Sequence, residues 1–436
     1  MTKFYIPQLA VYPRAPTFPG NITPPDQAIY IPAISPPWAI AIQGWITSGL
    51  PRALPFGVTA SDLNILDLNN THFRISYGLT SAGLGLNQNS SSIITTRDRK
   101  RTFMFADSGG YQIAGNRLKV QNDADRMRIL RWQEQFDAAM TLDVPTGPLS
   151  KGGYRYKTFQ DCLDATLIHL DFYQKNKSST SNVIWLNVLQ GNDPAQCDDW
   201  YQAVRKRFDG QGWAFAGPLR HNFYYLLRRL IIMLQDGELQ KKRWIHVLGT
   251  CELDTAVLLT ALQRSLNKHV NKEIRVSYDT STPFRMLRFN SAYTLPSFTS
   301  KGMTMQARPV PNSARHIGMP VRWPWPSPIG DRMMMNDFCV SPGPNATGYR
   351  DAVSNVLLAH HNLSALCYGV ALANRVFDAE TLTGQHTIAY RVGDAVHAID
   401  AVLKNPSIGT LQAHKAIFAR LKHGQIDPDS EAERDF

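Results

Sequence analysis

"FMFADSGGYQ", Phe103–Gln112, is the stretch whose reading decides the fold. Its first half is a short apolar run. Its second half sets an acid, a serine, two glycines and an aromatic in a row. Adjacent glycines weaken a strand and admit backbone geometries closed to other residues, so the strand ends near Asp107. An acid at that point is either a turn former or a piece of chemistry. The two readings separate on whether other strand ends carry similar equipment.

They do. "AMTLDVP" near 142, "VIWLNVLQG" near 187, "WAFAGPL" near 215, "WIHVLGT" near 247 and "IRVSYDTS" near 277 are short apolar runs that end in small or polar residues. Helical patterns fill the intervals: in "ELDTAVLLTALQRSLNK", Leu258, Leu262 and Leu266 recur at i, i+4, i+8. A strand followed by a helix, recurring about every 30–45 residues, predicts a parallel α/β architecture. Six units are clear, and "FRISYGL" before Arg101 is a candidate further strand. The expectation is a (β/α)8 TIM-like barrel. A doubly wound open sheet is the competing fold, but no G-x-G-x-x-G follows the early strands.

The flanking regions read differently. Residues 1–72 form a proline-rich N-terminal segment, expected to be irregular and packed on the barrel. Residues 73–282 hold the main barrel units, 283–350 an irregular insertion rich in Pro, Arg, Met and Ser, and 351–436 a C-terminal helical region that completes the fold. The 436 residues carry a formal net charge of +11, which points to an anionic partner, nucleic acid first. Five scattered cysteines without a C-x-x-C spacing fit reduced thiols in the cytoplasm. Prolines interrupt any signal-peptide core near the start. The apolar run "LLRRLIIMLQ" holds two arginines and is too short to span a bilayer, so no membrane association is expected.

In a barrel the working residues cluster at the C-terminal strand ends. Those ends carry Asp107-Ser108-Gly109-Gly110, Asp143, Gln190-Gly191, Gly217-Pro218-Leu219, Leu248-Gly249 and Asp279. Single aspartates there are often helix N-caps; three acids and an amide exceed what turns require.

"DSGGYQ", "LDVP", "LQG", "AGPL", "HVLGT" and "SYDTSTPFR" occur in the order seen in tRNA-guanine transglycosylases, which the chain resembles from about Phe103 to Arg288, with a fainter echo in "HHNLSAL". Those barrel enzymes replace a guanine in nucleic acid with a 7-deazaguanine. The resemblance implies that Asp279 is the nucleophile at C1′ and Asp107 the general acid/base. Asp143 and Gln190 would read the base edge, Gly217 and Leu219 would offer backbone contacts, and Ser108 and Gly191 belong to the same base-binding set. Tyr111 would stack on one face with Leu248 on the other, while Gly109 and Gly110 let the backbone approach.

The chain departs from the tRNA enzymes in three places. Their C-x-C-x-x-C and later histidine bind a structural zinc, whereas "NDFCVSPGPN" keeps only Cys339, with His361 matching the zinc histidine. Asp337, Cys339 and His361 could make an unusual site, but a full ligand set is lacking, so no metal and no other cofactor is expected. With the proline-rich start and the altered stretch after Asp279, the chain looks most like the DNA-acting DpdA group of the superfamily. That implies exchange of guanine in DNA for a base such as preQ0, with a companion ATPase as partner; the oligomeric state stays open between monomer and homodimer. "RDRKR" (Arg97, Arg99, Lys100, Arg101) is expected to hold phosphates near the barrel mouth, with Arg285 and Arg288 doing the same after the nucleophile. The alternatives are a tRNA enzyme of the same chemistry, a non-catalytic nucleic-acid-binding subunit, and a metal-dependent barrel hydrolase, for which His246 stands alone.

Overall fold

In the computed structural model, which describes residues 26–150, 153–342, 348–383 and 388–421, the apolar runs become one parallel sheet. Its strands are β1 (Ile29–Pro32), β2 (Tyr77–Ser81), β3 (Phe103–Asp107), β4 (Ala138–Met140), β5 (Ile184–Leu189), β6 (Gly212–Phe215), β7 (Trp244–Val247) and β8 (Arg275–Thr280). Each strand pairs with its sequence neighbour, and β8 pairs with β1. A parallel bridge between Ala33 and Leu79 joins β1 to β2. The sheet is therefore an eight-stranded (β/α)8 barrel, and every strand's C-terminal end lies at the same mouth.

Side chains along a strand alternate between faces, and that alternation builds the interior. Ile29 and Ile31, Tyr77 and Leu79, Phe103 and Phe105, Ala138 and Met140, Leu186 and Val188, Ala214 and Ala216, and Trp244 form the inner plug. Large rings meet small residues: Phe103 stacks on Trp244 with centroids 5.3 Å apart and planes within 6°, while alanines of β4 and β6 supply the room. The outward set, including Ala106, Val247, Val276 and Tyr278, joins the layer under the helices. Several of those helices start on side-chain caps, at Asn122, Thr158, Asp193 and Asn222, which satisfy backbone N–H groups that a helix start leaves unpaired.

The N-terminal expectation needs correction. Residues 1–25 lie outside the described residues, but Ile29–Pro32 is a full barrel strand and Pro36–Ser48 a helix. The prolines that suggested irregular chain act as punctuation. Pro32 ends the strand, and Pro36–Pro37 open the helix, where a missing N–H leaves no intrahelical bond unmade. The insertion is also more regular than expected: β9 (Ser291–Thr299) and β10 (Gly302–Pro309) form an antiparallel hairpin with a bulge between Met305 and Ala307. Pro296 and Pro309 hide it in the sequence.

The helix Ala352–Thr383 packs on β9 and on the helix Leu253–His269. By length and composition it could cross a membrane, but 78% of its apolar window is buried within the fold. The helix Tyr390–Lys404 also packs on Leu253–His269. All five cysteines are free thiols.

If β1 is an integral stave, amide hydrogen exchange should find 29–34 protected to the level of β7 and β8, because these amides open only with the sheet. Rapid exchange there, with β7 protected, would return the segment to a surface wrapping.

Candidate active site

On β2, β3, β5 and β8 the inward set continues one step beyond the apolar plug, and there it turns polar. Phe103 and Phe105 are followed by Asp107, Tyr77 and Leu79 by Ser81, Leu186 and Val188 by Gln190, and Ser277 by Asp279. Two-residue periodicity thus lifts four polar side chains onto an apolar floor at the barrel mouth.

On one side, Asp107 Oδ2 accepts from Ser81 Oγ at 2.9 Å and from the Gly109 amide at 3.2 Å. Gly109 adopts φ +86°, and a Cβ there would lie 2.8 Å from the Gly83 nitrogen, so only glycine turns this corner. Burial pushes the Asp107 carboxyl up; the Ser81 hydrogen bond opposes this and the charge of Asp279 adds to it. Asp143, just past β4, accepts from Ser108 Oγ at 3.0 Å and from Gln190 Nε2 at 2.8 Å. Its carboxyl is pushed up to about 6, chiefly by burial and further by Asp107, against the two hydrogen bonds.

Asp279 is 8% exposed. Its Oδ1 accepts from the Gly249 amide at 2.9 Å and lies 3.1 Å from His246 Nε2. His246 Nδ1 lies 2.8 Å from Ser277 Oγ, which Trp244 Nε1 reaches at 2.7 Å. An indole N–H only donates, so Ser277 accepts from Trp244 and keeps its own proton available for Nδ1. In the tautomer with Nδ1 accepting, the Nε2–H of His246 faces Asp279. The relay fixes Oδ1 and, among the described residues, leaves Oδ2 with no hydrogen-bond partner. The His246 ring lies nearly parallel to Phe105 at 5.5 Å, which locks it in the plug.

Of the remaining expected residues, Tyr111 lies in the short helix Gly110–Ala114 at the mouth and is 39% exposed. Gly110 rests against Pro145 and Asp143. The Gly191 amide donates to Thr146 Oγ1. Gly217, at φ +58°, passes so close to Gly191 that a Cβ would lie 2.8 Å from its carbonyl oxygen. Leu248 caps the inner plug. Leu219 is buried in the layer under the helices and lines a small cavity with Cys197 and Tyr225. Arg285 and Arg288 follow β8 on the mouth side, half-buried.

"RDRKR" requires a correction. Residues before a strand lie at its N-terminal end, so Arg97, Arg99, Lys100 and Arg101 sit at the end of the barrel opposite the mouth. Arg97 is buried: it bonds Asp137 Oδ2 at 3.0 Å and the Ile94 carbonyl at 2.9 Å. It braces the start of β4 and does not meet substrate at the mouth. The residues of the suspected zinc region do not fit a metal site either. His361 Nδ1 accepts from the Trp323 indole at 3.3 Å and Nε2 donates to the Tyr293 carbonyl at 2.7 Å, so neither ring nitrogen has a lone pair to offer. Cys339 Sγ donates to the Pro311 carbonyl, and Asp337 accepts from the Met334 amide.

Sequence reasoning missed His246 and Ser277 as supports of Asp279, and Ser81 as support of Asp107. The signal was available: each sits at a two-residue or paired-register position relative to a residue already singled out. The chain matches no protein-family model and no curated protein, so the chemistry rests on these residues.

One consequence concerns pH. Asp143 keeps its proton in the folded protein up to about pH 6, against an ordinary value of 3.8. The native state then binds more protons than the unfolded chain between those values. Stability attributable to Asp143 therefore falls as pH rises through that window, by roughly 3 kcal/mol in all. Asp143→Asn cannot ionise, so its melting temperature should gain on the wild type as pH rises from 4 to 7. A difference that stays constant with pH would show that Asp143 ionises normally.

Proposed function

We propose that the chain is a DNA-guanine transglycosylase that exchanges guanine in DNA for a 7-deazaguanine base through a covalent Asp279–sugar ester. The observation that carries this reading is the division of labour among three carboxyl groups at one mouth. Asp279 has one oxygen held and the other available, Asp107 is pushed toward its protonated form, and Asp143 is tied to an amide that can share a base edge with it.

The steps balance with these groups alone. Asp279 Oδ2 attacks C1′ as the C1′–N9 bond breaks, and the bonding pair leaves with guanine, which takes a proton from Asp107. The incoming 7-deazaguanine gives its N9 proton to the Asp107 carboxylate, and that nitrogen displaces Asp279 from C1′. Two inversions preserve the anomeric configuration, as in retaining glycosidases. Ionised Asp143 accepts the base's N–H donors, and Gln190 donates to its carbonyl. Tyr111 and Leu248 flank the base plane. In a duplex the target guanine leaves the stack, at a cost of a few kcal/mol, which gives a companion ATPase a place as partner. The charge of +11 supports a nucleic-acid substrate, and the resemblance to the DpdA group favours DNA over tRNA.

The test is incorporation of labelled preQ0 into DNA and into tRNA under identical conditions, with and without the companion ATPase. Label should enter DNA, at a rate that rises with pH through about 6 as Asp143 ionises. Asp279→Asn should abolish it, and Asp107→Asn should lower it at least ~100-fold. Label entering tRNA and never DNA would replace the substrate while keeping the chemistry; an active Asp279→Asn enzyme would remove the chemistry.

A further inference from the structure

From Thr280 to Gly330 the chain contains no Asp or Glu but six basic residues, Arg285, Arg288, Lys301, Arg308, Arg315 and Arg322. The last four are exposed, and among the described residues their side chains form no ion pair. We infer that the β9–β10 hairpin and the loop after it, through Lys301, Arg308, Arg315 and Arg322, form the surface that grips the phosphate backbone of duplex DNA beside the barrel mouth. This rests on the DNA reading given above and adds the surface that would hold the substrate.

Placement comes from the anchors. The hairpin follows the mouth end of β8 through two short helical turns, Thr282–Arg285 and Met286–Phe289. The Met303 amide donates to Asp254 Oδ1 at 2.7 Å. Asp254 lies in the first turn of Leu253–His269, and a helix that follows a barrel strand starts at the mouth. Arg391 bonds both Asp254 and the Lys301 carbonyl. At the other end of the hairpin, the Tyr293 amide donates to Asn362 Oδ1 at 2.8 Å, and Asn362 donates to the Ser291 carbonyl at 3.0 Å. The loop that carries Arg315 and Arg322 is pinned next door by buried Trp323, whose amide bonds the Met333 carbonyl and whose indole bonds His361. The cations are thus displayed on a braced scaffold, and little ordering remains to be done on binding.

Two features separate this surface from an ordinary solvated charge run. Soluble surfaces mix the two signs, whereas 51 consecutive residues here carry one sign only. Exposed Phe289, Leu295, Ile317 and Val321 lie among the cations, a pairing suited to a sugar–phosphate face and of no use to solubility. By contrast Arg99, Lys100 and Arg101, three consecutive basic residues, lie at the far end of the barrel.

The experiment is the salt dependence of binding to a short guanine-containing DNA duplex. Wild type is compared with the fourfold variant Lys301→Gln/Arg308→Gln/Arg315→Gln/Arg322→Gln and with the opposite-end variant Arg99→Gln/Lys100→Gln/Arg101→Gln, after circular dichroism confirms that both fold. Each lost phosphate contact removes about 0.9 from the slope of log K against log salt, so the fourfold variant should lose about 3 to 4 and the opposite-end variant none. An unchanged slope in the fourfold variant, an equal loss in the opposite-end variant, or a slope loss seen with tRNA but not with the duplex would each overturn the inference. Base exchange is read on the same preparations. Wild-type protein that shows the predicted slope difference but never exchanges a base would defeat the proposed function and leave the docking surface standing.

Discussion

The barrel closes where β1 meets β2: the Ile34 amide bonds the Leu79 carbonyl at 2.7 Å beside the Ala33–Leu79 bridge. On its other side β1 is laddered to β8 along Ile29–Pro32, and the Ala33 amide extends the ladder to the Thr280 carbonyl at 3.1 Å. Without the β1–β2 contact the strand order β1-β8-β7-β6-β5-β4-β3-β2 would be an open sheet, with Asp279 and Asp107 each one strand in from opposite edges. Closure sets both carboxyl groups around one mouth, near enough for the charge of Asp279 to act on Asp107. The short proline-punctuated segment that supplies β1 therefore decides whether the site exists.

Once the mouth is closed, its electrostatics follow from crowding. Three carboxyl groups share a small space above an apolar floor, and they cannot all ionise at ordinary pH without cost. The protein resolves this by giving each a different set of donors. Asp279 receives a backbone amide and the His246–Ser277–Trp244 relay, Asp107 a hydroxyl and an amide, and Asp143 a hydroxyl and a side-chain amide. Different roles for chemically identical groups arise from their neighbours, the arrangement acid–base chemistry needs. His246 acts through Asp279 and is a positioning residue: it holds one oxygen so that the other has a defined direction.

Much of this was legible in the sequence because strand periodicity carries it. Phe103, Phe105 and Asp107 read directly as an inward row, and the ends of β3, β4, β5 and β8 named most of the polar residues at the mouth. What stayed hidden had physical reasons. β1 is only four residues long and is bounded by proline, so composition masked its pattern. The β9–β10 hairpin is half exposed and interrupted by Pro296, which erases clean alternation. Arg97 looked like a phosphate ligand because the run was read for its charge alone; a run that precedes a barrel strand lies at the end opposite the mouth, and in a barrel that decides everything. His246 was noticed only as a solitary histidine, since its partners Ser277 and Asp279 lie on β8 and reach it through the pairing between β7 and β8, which a linear reading does not display.

The account stands or falls on the covalent role of Asp279. The direct measurement is peptide mapping by mass spectrometry after rapid quenching of the protein with guanine-containing DNA and a 7-deazaguanine base. The account predicts a sugar ester on the peptide that contains Asp279, absent from Asp279→Asn. An adduct on Asp107 instead, or base exchange that proceeds with no adduct at any carboxylate, would contradict it.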